Sequence, residues 1–213
     1  MENPTLKHNF ITKAHDLSDL FNENITTLSE FMKKLETQSK IDPLRYDSLK
    51  YLGDGFEFFI ELFLSLHPVD NRVGVYNYLP AQENDNGVDG TGLNIKMEPC
   101  VVQIKYRSDV TELLTANKDS LSNLFSDGML AHNVVSDNIN KNNYRHFVFT
   151  TAEGLHFYTD NEMFKGKVKC IGYHELKNLL DNNLPFWSKV REIVKTIDPK
   201  LAISKQEEIT IIK

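Results

Sequence analysis

The chain has 213 residues, of which 40% are hydrophobic and 25% are charged, and its formal net charge is −6 at pH 7. This length and composition are typical of one soluble globular domain with room for an extension. The acidic charge argues against a protein that simply coats nucleic acid, because non-specific DNA affinity comes largely from neutralised phosphates. It does not exclude a nuclease whose carboxylates bind metal ions.

The sequence carries no mark of secretion or membrane insertion. The opening stretch MENPTLKHNF lacks the basic start and apolar run of a secretory signal. No apolar run approaches the roughly 20 residues that span a bilayer. Cys100 and Cys170 stand alone, which predicts neither a disulfide framework nor a CxxC metal site. We therefore expect an intracellular, cytoplasmic protein with no membrane partner.

The N-terminal part, residues 1–48, is predicted to be a helical extension. From Leu17 to Leu35 apolar side chains recur every three or four residues, which is the period of an amphipathic helix, and Asp42-Pro43 then interrupts the pattern. We expect this extension to pack on the main domain. The alternative is that it grips the substrate or forms a homodimer.

The rest of the sequence alternates between helical and strand-like patterns. The helix before the first strand has a buried stripe formed by Phe56, Phe59, Ile60, Phe63 and Leu64. The elements expected in chain order are a helix over 53–66, a strand over 72–79, a hairpin over 87–106, a helix over 109–129, strands over 146–151 and 168–171, and helices over 173–180 and 185–197. This order predicts an α/β sandwich around a small mixed sheet.

One short group of residues is the candidate active site. Gly87-Val88-Asp89-Gly90 is a polar bend in which the Asp89 carboxylate is uncrowded, and Gln103-Ile104-Lys105 follows thirteen residues after Asp89. Alternation along a strand places Gln103 and Lys105 on one face and Ile104 on the other. A hairpin over these residues brings that face close to Asp89.

Such a cluster suits the hydrolysis of phosphodiester bonds. Mg²⁺ takes oxygen ligands, which Asp89 supplies as a carboxylate and Gln103 as an amide. The metal polarises phosphate and activates water, while a cation such as Lys105 offsets charge on the reacting phosphate. Glu57 and Glu61 share one face of the preceding helix, and either could reach the same metal. Two plainer interpretations are a simple turn at Gly87–Gly90 and a solvated strand edge at Gln103 and Lys105.

These residues resemble a known family. Gly53-Asp54-Gly55-Phe56-Glu57, Gly87-Val88-Asp89-Gly90 and Val101 to Arg107 (VVQIKYR) are similar to the Mrr-type branch of the PD-(D/E)xK restriction-endonuclease-like superfamily. That branch carries a helix glutamate in an F-E pair, a G-x-D motif, and Q-x-K in place of E-x-K. His146 to Ala152 (HFVFTTA) is similar to its later strand ending in threonines, and Val168 to Leu180 to its closing strand and helix.

The resemblance covers roughly residues 50–182 and implies both a fold and an activity. It implies a restriction-endonuclease-like α/β/α core over 49–182, an N-terminal helical extension over 1–48, and a C-terminal helix and tail over 183–213. The implied activity is Mg²⁺-dependent cleavage of DNA, with Mn²⁺ as a substitute. Glu57, rather than Glu61, matches the family's glutamate and joins Asp89 and Gln103 as a metal ligand. The Ile104 carbonyl is a further ligand candidate, and Lys105 positions the water.

Basic residues near this group are candidates for DNA contact. Arg107 and Lys118 are expected at the rim of the catalytic face. Lys165, Lys167 and Lys169 alternate along one stretch and share a face, for which the plainer interpretation is a solvated strand edge.

Two other functions are compatible with the sequence. One is a structure-specific junction resolvase or an RNase of the same fold. The other is a nucleic-acid-binding module that no longer cuts.

Overall fold

The computed structural model describes residues 4–42, 44, 46–68, 70, 72–81, 87–115, 121, 144–156 and 168–198. Over these residues the protein combines helices with a five-stranded sheet and a two-stranded sheet. The predicted α/β class is therefore confirmed. None of the helices within the described residues is both long enough and apolar enough to cross a membrane.

Six helices have their bounds within the described residues. They are α1 (Phe10–Lys13), α2 (Leu17–Leu20), α3 (Leu28–Gln38), α4 (Ser48–Leu66), α5 (Tyr173–Leu180) and α6 (Leu184–Ile197). Helix α4 begins five residues before the predicted start at Gly53. Its predicted apolar stripe is confirmed, because every side chain from Phe56 to Leu64 that was assigned to the stripe is buried.

The N-terminal part contains several short helices rather than one continuous amphipathic helix. The break falls between α2 and α3, where polar side chains bind the backbone in place of helical hydrogen bonds. Asn22 Oδ1 accepts from the Asn24 amide at 2.9 Å. Thr27 then caps α3, and its side chain forms a capping box with Glu30. The apolar period continues across the break, so periodicity alone did not reveal it.

The larger sheet joins antiparallel and parallel strands. Its strand order is β1-β2-β3-β5-β7, and the strands are β1 (Tyr76–Pro80), β2 (Gly90–Leu93), β3 (Pro99–Lys105), β5 (His146–Thr150) and β7 (Val168–Ile171). Strands β1, β2 and β3 pair antiparallel, whereas β5 and β7 continue from β3 in parallel. The predicted hairpin is confirmed as the β2–β3 pair, and β3 is buried at five of its seven positions.

Two predicted elements differ from the structure. The strand predicted over 72–79 begins only at Tyr76. The helix predicted over 109–129 is wrong for residues 109–115, where a turn leads into strand β4 (Leu113–Leu114). Thr111 donates its amide and hydroxyl to Asp109 Oδ1, which favours the turn, and β4 then pairs with β6 (Gly154–Leu155) in parallel. Of the remaining predicted helix, only Leu121 lies within the described residues, and it is helical.

The chain divides into two compact units. The first is Met1–Phe58 with Lys177–Lys213, and the second is Phe59–Leu176. The divisions fall within α4 and α5, and the predicted domain boundaries at residues 48 and 182 both lie in the first unit. All described strands belong to the second unit. There Phe63 of α4 packs edge-on against Phe149 of β5, with ring centroids 6.4 Å apart.

Candidate active site

The Asp89 backbone is fixed where the chain enters β2. Its amide donates to the Val102 carbonyl at 2.9 Å. Its carbonyl accepts from the Ala81 amide at 3.0 Å and from the Tyr78 hydroxyl at 3.0 Å. Two residues earlier, Gly87 has a φ of 90°, a left-handed conformation that favours glycine. Backbone hydrogen bonds alone therefore attach Asp89 to strand β3.

The Asp89 carboxylate faces the end of β3. Its Oδ2 accepts a hydrogen bond from the Ile104 amide at 2.6 Å. The Lys105 ammonium lies 4.0 Å from the same oxygen, and the two side chains are 24% and 18% exposed for Lys105 and Asp89 respectively. A partly exposed carboxylate thus stands beside a partly exposed cation, in reach of solvent and of a ligand.

The Gln103 side chain is fully buried on β3. Its Nε2 donates to the Gly87 carbonyl at 3.0 Å. Because that carbonyl can only accept, the amide nitrogen must face it, and the amide oxygen points elsewhere. Within the described structure this Oε1 has no hydrogen-bond partner. A buried acceptor left unpaired costs about 1–3 kcal/mol, which a bound cation or donor would recover.

Three of the predicted site residues therefore meet at one segment. Gln103 contacts Gly87, and Lys105 lies beside Asp89, so both side chains of the Q-x-K pattern reach residues 87–89. Ile104, between them, contributes its backbone amide to Asp89 and buries its side chain. The hairpin register, in which Gly90 is paired with Val102, produces this arrangement.

Glu57 lies in the first unit, where its carboxylate contacts His8. Its Oε2 lies 3.1 Å from His8 Nε2. His8 Nδ1 accepts from the Phe10 amide at 3.2 Å, so the ring proton is on Nε2 and is donated to Glu57. Glu61, one turn further along α4, belongs to the second unit and is only 2% exposed.

The end of β3 is held by two threonines of the β5 end, to which the sequence analysis gave no individual role. The Thr150 hydroxyl donates to the Lys105 carbonyl at 2.8 Å. Thr151 Oγ1 accepts from the Arg107 amide at 2.6 Å and donates to the Arg107 carbonyl at 2.7 Å. Both threonines are fully buried. The signal in the sequence was a Thr-Thr pair at the end of an apolar strand, where hydroxyls can satisfy a neighbouring strand's backbone.

Two candidate DNA contacts lie within the described residues. The Arg107 guanidinium donates to the Tyr106 carbonyl at 2.6 Å and lies 3.9 Å from Glu112, with its side chain 26% exposed. Lys169 lies on β7, where burial lowers the pKa of its ammonium while the charges of Glu175 and Asp70 oppose that shift. Lys118, Lys165 and Lys167 lie outside the described residues.

The oxygen ligands available for a cation are few. Across the residues that the structure describes, no group of three or more histidine, cysteine, aspartate and glutamate side chains is arranged to hold a metal ion. Among the predicted site residues of the hairpin, Asp89 has a partly exposed carboxylate and Gln103 has a buried amide oxygen without a hydrogen-bond partner in the described structure. Both the carboxylate and the amide are hard oxygen donors, the type of ligand that Mg²⁺ prefers.

Comparisons with known proteins identify no relative of this chain. The chain matches no family model, no curated protein and no solved structure.

Proposed function

We propose that this protein is a Mg²⁺-dependent endonuclease that hydrolyses DNA phosphodiester bonds, with a restriction-endonuclease-like core of the Mrr type. The observation that carries the proposal is the Asp89 carboxylate, held by the Ile104 amide at 2.6 Å with the Lys105 ammonium 4.0 Å away. An anionic oxygen ligand and a cation side by side match what phosphodiester hydrolysis requires.

The order of elements supports the proposal. A Phe-rich helix (α4) precedes a hairpin with Asp89 immediately before its first strand and Q-x-K on its second. The parallel strand β5 follows later, and it ends at Thr150 with Thr151 directly after it. Strand β7 and helix α5 follow later in the chain, after the two-residue strand β6. This is the order in which the resemblance to the Mrr-type branch places its motifs.

The donor set is compatible with magnesium. Mg²⁺ is usually bound through one or two carboxylates, keeps several waters and takes further ligands from substrate phosphates. Asp89 would supply the anionic ligand, and the unpaired Gln103 Oε1 a neutral one. Glu57 and the Ile104 carbonyl are the further ligands that the family resemblance implies. When bound, the ion would polarise the phosphate and lower the pKa of a water molecule.

Lys105 would act on the water and the phosphate rather than on the metal. An ammonium has three donors and no acceptor, so it cannot coordinate a cation. From its position beside Asp89 it can orient the attacking water and stabilise charge that develops on the phosphate. The Thr150 hydroxyl, bonded to the Lys105 carbonyl, fixes the strand end from which this side chain extends.

The experiment is plasmid cleavage. Supercoiled plasmid is incubated with the purified protein in Mg²⁺, in Mn²⁺ and in EDTA, and the products are read as nicked, linear or degraded. Branched DNA and RNA are tested in the same buffers, and duplex binding is measured by fluorescence anisotropy. Cutting in either metal and none in EDTA supports the proposal, provided that Asp89→Asn protein purified in parallel does not cut. Cutting only of branched DNA or of RNA would favour a junction resolvase or an RNase. DNA binding with no cutting of any substrate would favour a binding module and overturn the proposal.

A further inference from the structure

Strand β1 contains an irregularity next to Asp89. Tyr76 pairs with Leu93 and Leu79 with Thr91, so three steps along β1 correspond to two steps along β2. The extra residue makes a β-bulge, and Asn77 within it has a φ of 48°, in the left-handed region. Bulges redirect side chains and are frequent beside active sites. The residue that follows Asn77 in the bulge is Tyr78, and it is buried.

The Tyr78 ring occupies the space beside Gly90 where a side chain would otherwise lie. A Cβ built on Gly90 would come within 2.3 Å of Tyr78 Cε2 and 2.6 Å of its hydroxyl oxygen. Gly90 does not have a positive φ, so its backbone could accommodate other residues. Glycine is therefore needed at this position for space, and the space is filled by Tyr78.

The Tyr78 hydroxyl is hydrogen-bonded to the peptide group between Asp89 and Gly90. It donates to the Asp89 carbonyl at 3.0 Å, and the tyrosine is only 9% exposed. The same carbonyl accepts from the Ala81 amide at 3.0 Å, so both sides of the Asp89–Gly90 peptide oxygen are engaged. The Asp89 amide is itself bonded to the Val102 carbonyl, so hydrogen bonds hold the backbone on both sides of the Cα that carries the carboxylate.

We propose that Tyr78 is a positioning residue for Asp89, with Gly90 providing the space that its ring requires. The predicted effect on magnesium affinity rests on the proposed function, because that function makes Asp89 the anionic metal ligand. Tyr78 touches neither metal nor substrate in this account. It acts through the Asp89 carbonyl, as hydrogen-bonded outer residues orient metal ligands in other proteins.

The test is Tyr78→Phe, which keeps the ring beside Gly90 and removes only the hydroxyl. The Ile104 amide reports the position of the carboxylate directly, because it donates to Asp89 Oδ2. Its hydrogen exchange should accelerate about 5- to 10-fold, the effect expected when one supporting hydrogen bond is lost. The Val101 amide, bonded to the Arg145 carbonyl, is the internal reference and should not change. Tyr76→Phe, on the same strand, is the matched control and should leave both amides unchanged.

Magnesium affinity, measured by calorimetry, is the second readout. Tyr78→Phe should weaken it by about 10-fold, within the range seen for outer-shell residues. Gly90→Ala should weaken it as well, because the methyl group displaces the ring. Gly90→Ala added to Tyr78→Ala should cost nothing further, since the ring that clashes is already gone. A Gly90→Ala effect of the same size in both backgrounds would contradict the proposed fit between the two residues.

The two readouts separate this inference from the proposed nuclease function. If Ile104 exchange and magnesium affinity are both unchanged in Tyr78→Phe, Tyr78 does not position Asp89, and the nuclease proposal is unaffected. If the wild-type protein binds no magnesium but Ile104 exchange accelerates selectively in the variant, the positioning role stands and the metal-dependent function fails. Equal acceleration of the Ile104 and Val101 amides would reveal only a global loss of stability and would overturn the inference.

Discussion

Lys105 and Asp89 approach each other across the β2–β3 hairpin, with the ammonium nitrogen 4.0 Å from Oδ2 of the carboxylate. This distance is at the outer limit of a direct ion pair, and both side chains are partly exposed. The pair is therefore a weak source of stability. Its chemical value is that it places an anion and a cation side by side, where one water or phosphate oxygen can contact both.

The first prediction concerns Lys105. Lys105→Ala should lower plasmid cleavage by about 100- to 1000-fold, the loss typical when one charge-stabilising donor is removed from an active site. Magnesium affinity should not fall, because an ammonium is not a ligand and its removal relieves repulsion of the cation. Cleavage rates and calorimetric titrations check the two parts. Lys96→Ala, an exposed lysine at the hairpin turn, is the control and should cut normally. Loss of magnesium binding in Lys105→Ala would count against the assigned role.

The second prediction concerns the unpaired amide oxygen of Gln103. Gln103→Glu removes the donor to the Gly87 carbonyl and places an ionisable group at a fully buried position. Burial favours the protonated form of that group, so the variant should be less stable than wild type in EDTA at neutral pH and should regain stability in acid. Added Mg²⁺ should raise its melting temperature more than it raises that of the wild type. Equal responses to Mg²⁺ would argue against a cation next to this side chain.

The consequences for activity form the third prediction. Gln103→Glu should keep cleavage or shift its preference between Mg²⁺ and Mn²⁺, because it restores a charged oxygen ligand. Gln103→Ala should reduce cleavage strongly, since it offers no ligand. Glu57→Ala should reduce cleavage more than Glu61→Ala does. Plasmid cleavage by the four variants in each metal is the measurement. A larger loss for Glu61→Ala, whose side chain is buried in the same unit as Asp89, would transfer the ligand role to Glu61.

The fourth prediction concerns Arg107 as a DNA contact. Arg107→Ala should weaken binding to duplex DNA and reduce the slope of log affinity against log salt by about 1, as expected when one phosphate contact is lost. Its guanidinium donates to the Tyr106 carbonyl and lies near Glu112, and the Arg107 side chain is 26% exposed. Fluorescence anisotropy of labelled duplex in EDTA at several salt concentrations provides the data. With an unchanged slope, Arg107 would be removed from the contact surface.

A fifth prediction concerns acid stability through Asp70. Burial alone would raise the pKa of this carboxyl, but hydrogen bonds from Arg72 outweigh it and lower the pKa to about 2. Because the unfolded value is about 4, the carboxylate stabilises the fold above pH 4 and loses that contribution as the pH falls towards 2. Asp70→Asn should therefore lower the melting temperature at pH 7, and the difference from wild type should shrink below pH 4. A difference independent of pH would exclude an electrostatic origin.

The sequence predicted the elements whose local pattern and tertiary environment agree. The stripe from Phe56 to Leu64 has a clear helical period and is buried as expected. The alternation around Gln103 and Lys105, together with the glycines beside Asp89, predicted the hairpin and the meeting of these side chains at residues 87–89. These features depend on short-range order, which composition and spacing report well.

Features that depend on long-range pairing were not predictable in this way. Strand β4 exists because Leu113 and Leu114 pair with residues 154–155, about 40 positions later in the chain. The bulge at Asn77 shifts the register of β1 against β2, so the position of Tyr78 relative to β2 could not be inferred from the sequence. The contact of Tyr78 with the Asp89 carbonyl likewise requires the folded register.

The most direct test of the central claim compares two isosteric substitutions in one cleavage assay. Asp89→Asn removes the charge proposed to anchor the metal and keeps the side chain's shape. Asp109→Asn does the same at an exposed turn of the same unit and serves as the control. In Mg²⁺ the wild type and Asp109→Asn should convert supercoiled plasmid to nicked or linear product, and Asp89→Asn should not. Cleavage by Asp89→Asn at the wild-type rate would contradict the account.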